Sequence, residues 1–121
     1  EDWSRRLQLS VDRIAVAGFS QGALLAYTLA VLQPGRLSAL AALSGSLPAG
    51  AADSLQPFLL QGLPGFIAHG RRDDVIPVQA ARAAAACLRS AGALVTVCEA
   101  DGAHRVSRGC VPKLHSFLRE H

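Results

Sequence analysis

The 121-residue chain is half hydrophobic and 17% charged, which is enough apolar material for a core and too little charge for a disordered polypeptide. Its net charge is +3, but eleven of its twelve basic residues are arginines, scattered singly or in pairs (Arg5-Arg6, Arg71-Arg72) without interleaved aromatics, so no nucleic-acid partner is expected. The longest nearly continuous apolar stretch, Ala23 to Leu32, falls short of the roughly 20 residues of a membrane helix, so no membrane span is expected; no signal peptide or lipidation motif is read either.

Taken in chain order, residues 3–8 read as the last turns of a helix, with Ser10 and Asp12 marking a turn. Arg13 to Ala17 is a short, partly β-branched apolar run ended by glycine, a buried strand. Gln21 to Gln33, rich in Ala and Leu and apolar nearly all round, predicts a buried helix stopped by Pro34-Gly35. Residues 37–43 form a second strand, and residues 44–64, with three prolines and three glycines, a long loop. A third strand covers 65–70. Pro77 opens an Ala-rich helix over about 78–91, stopped at Gly92. A fourth strand follows over 93–99, then a terminal amphipathic helix with Leu114, Phe117 and Leu118 at i, i+3 and i+4. Such alternation predicts an α/β fold, a parallel sheet with flanking helices, with ligand chemistry beyond the carboxyl ends of the strands.

Chemistry-bearing residues do follow the strands. Gly18-Phe19-Ser20-Gln21-Gly22 lies between the first strand and the first helix. A reversal that tight strains the central residue, and a glycine two before and two after would relieve side-chain collisions. Ser20 would then be lifted clear of the sheet at a helix N-terminus, where the Gln21 N–H can stabilise an oxyanion. A plain Gly-Ser turn is the alternative. A serine nucleophile needs a base, and the base an orienting acid, in the chain order Ser, Asp, His for this architecture. Asp73 and Asp74 follow the third strand and His104 the fourth. His69 precedes the acids and reads as a strand-end hydrogen-bonding residue, Asp101 as a turn residue, and His115 and His121 as solvated.

Cys87, Cys98 and Cys110 are odd in number and lack metal-ligand spacing. They read as free thiols in a reducing, cytoplasmic compartment, with neither a disulfide framework nor a metal site expected. The chain holds no methionine and opens in mid-phrase, so the N-terminal strands of its domain are expected elsewhere.

"RIAVAGFSQGALLAY", "FIAHGRRDDVIP" and "GAHRVS" together resemble the phospholipase/carboxylesterase family of α/β-hydrolases, which includes the acyl-protein thioesterases. The resemblance covers nearly the whole chain and only the C-terminal half to two-thirds of a typical member. It implies residues 1–121 as the C-terminal portion of one α/β-hydrolase domain, cofactor-free cleavage of a small-molecule ester or thioester, and Ser20, Asp73 and His104 as the catalytic residues. The family's acid-loop pattern is what selects Asp73 over Asp74. It also implies that a second oxyanion donor belongs to a segment outside this sequence, and that an earlier strand normally pairs with Arg13 to Ala17, whose edge would otherwise be apolar and open. From their place after the second strand, Leu47, Pro48 and the loop through Leu63 are expected to line an acyl pocket. A homodimer is left open. A catalytically incomplete remnant, or a half-domain that binds a partner, is the alternative reading; a peptidase or lipase is a third.

Overall fold

The computed structural model describes residues 13–121; the helix end expected over 3–8 and the turn at Ser10 and Asp12 lie outside the described residues. The elements are β1 (Ile14–Phe19), α1 (Gln21–Leu32), a 3-10 turn (Pro34–Arg36), β2 (Leu37–Leu43), α2 (Ala51–Ser54), β3 (Pro64–Gly70), α3 (Val78–Ser90), β4 (Leu94–Ala100) and α4 (Val111–Glu120). The strands form one parallel sheet in the order β1-β2-β3-β4. The predicted alternation holds, with one added helical turn, α2, inside the long loop.

The central strands are nearly continuously buried, as expected of parallel strands covered on both faces. Period-two alternation sorts their side chains. Leu40, Ala42 and Ile67 meet Ala23, Ala26, Tyr27 and Ala30 of α1 and Ala81, Ala84, Ala85 and Leu88 of α3. Ala41, Leu43, Phe66 and Ala68 meet Cys98, Cys110 and the α4 residues Leu114 and Phe117 on the other face. Leu118 stays exposed.

Three expectations are corrected. The first strand is not buried: β1 lies at the edge of the described sheet, pairs only with β2 there, and has no buried residue. The helix α1 is buried along one stripe only. Its alanines and Tyr27 face the sheet, where small side chains permit close packing, while Leu25 and Leu32 are 66% and 71% exposed. The free-thiol reading fails for two of the three cysteines. Cys98 in β4 and Cys110 just before α4 form a disulfide across a Cα separation of 6.0 Å, leaving Cys87 free and half-buried. The strand and the helix start converge in the second apolar cluster, a proximity that counting cysteines does not reveal. The expectation of a reducing compartment rested on three thiols, and the disulfide removes that basis. No helix among the described residues is long and apolar enough to cross a membrane.

Candidate active site

The turn after β1 has the strain expected of it. Ser20 adopts φ 56°, ψ −111°, a positive-φ conformation that serines rarely take. Its N–H continues the ladder to the Leu43 carbonyl at 2.8 Å, and its carbonyl accepts from Ala23 and Leu24 as α1 begins. Gly18 is required by close approach, because a Cβ there would run into the Gly22 carbonyl. The matching expectation for Gly22 is corrected: a Cβ there meets no atom beyond its own helix within 4 Å. The second glycine that shapes the turn is instead Gly45, where a Cβ would collide with the Ala23 side chain and lie 3.0 Å from the Ser20 carbonyl. Gln21 is the first residue of α1, where N–H groups have no carbonyl partner within the helix.

Three side chains from three strand ends meet at Ser20. Ser20 Oγ lies 2.9 Å from His104 Nε2, and His104 Nδ1 lies 2.7 Å from Asp73 Oδ2. Asp73 Oδ1 accepts the N–H groups of Val75 and Ile76, each at 2.9 Å. With a carboxylate beyond Nδ1, the imidazole donates there and presents the Nε2 lone pair to the serine hydroxyl. Burial by itself would raise the Asp73 pKa, but the hydrogen bonds from Ile76, His104 and Val75, with the charge of a protonated His104, outweigh it and hold the carboxyl below its usual range. Asp73 is buried, whereas the His104 side chain retains 20% exposure, so the ring faces the rim and the acid does not. Asp74 is exposed, as are His115 and His121. Asp101 is exposed and pairs with Arg72 at 2.9 Å.

His69 has a structural place. Its buried Nε2 donates to the Ile76 carbonyl at 2.7 Å and lies 3.4 Å from Asp73 Oδ2, closing the loop that presents the acid. Sequence reasoning missed three further contributors. The Phe19 ring packs on His104 at a centroid distance of 5.2 Å. Ser44, buried at φ 54°, follows β2 as Ser20 follows β1, from the paired residues Leu43 and Phe19. Gly70 lets its backbone meet the Gly102 and Ala103 carbonyls, which a Cβ would strike. The doublets His69-Gly70 and Ser44-Gly45 were visible as strand-end glycines, but not what they touch.

The expected acyl pocket is not assembled from its three residues. Leu63 is buried in the core at the amino end of β3, opposite the Ser20 rim, because its carbonyl takes the N–H that opens β4. Pro48 lines a cavity of about 170 Å³ with Thr28, Val31 and Leu32, at least two helical turns along α1 from Ser20. Leu47, past the carboxyl end of β2, packs half-buried against the core. Among the described residues no cluster of potential metal ligands occurs.

The phospholipase/carboxylesterase family model matches residues 4–121. The chain belongs to this family. Among solved structures, the carboxylesterase of Bacillus cereus matches with a TM-score of 0.85 at 22% identity, over 98% of this chain and 55% of its own. Arabidopsis thaliana SOBER1 matches at 0.79 and 24% identity, over 98% and 58%. Zea mays acyl-protein thioesterase 2 matches at 0.67 and 21% identity, over 89% and 55%. The chain thus spans little more than half the length of these three structures. No curated protein matches it significantly in sequence.

Proposed function

We propose that the chain carries the acylation site of a serine hydrolase acting on small-molecule carboxylic esters or thioesters. The observation that carries this reading is the continuous hydrogen-bond chain from Ser20 through His104 to Asp73, in which a carboxylate at Nδ1 favours the tautomer that accepts from the serine at Nε2. In the reading, His104 Nε2 takes the hydroxyl proton as Ser20 Oγ attacks the acyl carbonyl. Asp73 holds Nδ1–H and stabilises the imidazolium. The Gln21 N–H, at the positive end of α1, faces the developing oxyanion. The imidazolium returns its proton to the leaving alcohol or thiol, and water admitted by the same base releases the acid and restores Ser20. No cofactor is required.

A second reading has a specific observation behind it: the chain spans 55–58% of the structures it matches. A second oxyanion donor on another segment would then be needed for full turnover, and its loss lowers rates by about 100- to 1,000-fold. The test is a fluorophosphonate probe with intact protein and with Ser20→Ala, followed by p-nitrophenyl ester turnover. Labelling at Ser20 that Ser20→Ala abolishes supports the acylation site. No labelling refutes it. Labelling without ester turnover supports the incomplete-hydrolase reading.

A further inference from the structure

We propose that the Cys98–Cys110 disulfide is a positioning crosslink for His104, so that it serves the reaction as well as the core. The proposal rests on the hydrolase reading above. His104 lies six residues from each cysteine, at the centre of the segment that the crosslink closes. Between Ala100 and Val111 that segment contains no helix or strand, so regular backbone pairing does not hold the ring in place.

The two halves of the segment are held by different means. Before His104, Arg71 N–H donates to the Ala100 carbonyl at 2.8 Å and Arg72 N–H to the Gly102 carbonyl at 2.9 Å, with Gly70 packed against the Gly102 and Ala103 backbone. After His104, Arg105, Arg108 and Gly109 are exposed. The backbone bonds there are local, from Cys110 and Val111 to the Ser107 carbonyl. Up to α4, whose Leu114 and Phe117 pack on the same face, what ties this half to the sheet is the half-buried Val106 and Cys110, a residue 1% exposed whose sulfur is bonded to β4. Without the bond, the ring would hinge about Gly102–Ala103 and keep the Asp73 contact while its Nε2 swung relative to Ser20. Opening the bond takes two electrons and two protons from a dithiol and leaves thiols on Cys98 and Cys110. Both sulfurs are buried, so a reductant reaches them slowly in the native state; the bond is therefore a standing brace and not a rapid switch.

The test begins with thiol titration of the whole protein in denaturant. One thiol, Cys87, is expected before treatment with dithiothreitol and three after; three before treatment overturn the proposal. The paired variant Cys98→Ala/Cys110→Ala is then compared with wild type and with Cys87→Ala. Its maximal rate of fluorophosphonate labelling at Ser20 is expected to fall about 10- to 100-fold, with the half-saturating probe concentration unchanged and amide exchange faster across residues 103–109. Cys87→Ala is expected to match wild type. Wild-type labelling kinetics and wild-type exchange in the paired variant overturn the proposal. If the paired variant does not fold, wild type reduced under mild conditions and trapped with iodoacetamide takes its place under the same criteria. If wild type itself is not labelled, the hydrolase reading fails, while the exchange comparison still decides whether the crosslink holds the His104 segment.

Discussion

Replacing Asp73 by asparagine tests the site at its least ambiguous atom. Oδ1 accepts two backbone N–H groups at 2.9 Å each, so an amide NH2 cannot take that position without facing two donors. The amide oxygen must stay there, and the NH2 must take the place of Oδ2, 2.7 Å from His104 Nδ1. Two donors cannot share that contact, so the imidazole is driven to carry its proton on Nε2. It then donates to Ser20 where it should accept, while the fold around it is unchanged. Loss of the correct tautomer lowers the rate by about 10,000-fold, equivalent to about 5.5 kcal/mol of barrier. The assay is the second-order rate of fluorophosphonate labelling at neutral pH, with circular dichroism confirming that Asp73→Asn is folded. A folded Asp73→Asn protein that labels within about tenfold of wild type would refute the reasoning, because the rate would then not depend on the His104 tautomer.

Acid stability follows from two carboxylates. Hydrogen bonds from Arg82 hold Glu99 at about 2 against an ordinary 4.5, outweighing its desolvation, and Asp73 is also depressed. Both folded-state values lie below the unfolded ones, so their contribution is present above the unfolded values and is lost as pH falls through the folded ones. For Glu99 that window runs from about pH 4.5 to 2. An acid titration followed by circular dichroism should show Arg82→Gln unfolding at higher pH than wild type, the difference shrinking in high salt; coincident curves at low salt would contradict it. Tyr27 is 1% exposed, its hydroxyl has no partner among the described residues, and burial raises its pKa. Tyr27→Phe should therefore stabilise the fold, by about 1–3 kcal/mol, seen as a higher thermal midpoint; a lower midpoint would mean that the hydroxyl has a partner.

Much of the architecture was legible because strand-length apolar runs and Gly or Pro stops recur in register with the elements they predict. The expected strand over 37–43 is β2 residue for residue. What failed depends on contacts distant in sequence. Hydropathy could not tell which side of α1 faces the sheet, since alanine and leucine both read as apolar while only the alanines and Tyr27 pack there. Cysteine counting could not bring Cys98 and Cys110 together, because that takes a strand and a helix folding onto one face. The order serine, aspartate, histidine was legible, since each follows a strand in a parallel sheet, but the choice of Asp73 over Asp74 came from the family resemblance. The acyl-pocket expectation had no such constraint and took Leu63 from the wrong end of β3.

The bare backbone at Gly70 has a mechanical consequence. With no side chain as a spacer, the loop bearing the acid and the loop bearing the base lie main chain against main chain. They are built to travel together, so a distortion of this half of the sheet should leave the carboxylate–imidazole pair intact. The adjustable gap is the one between that pair and Ser20, which hangs on a different strand and a different helix.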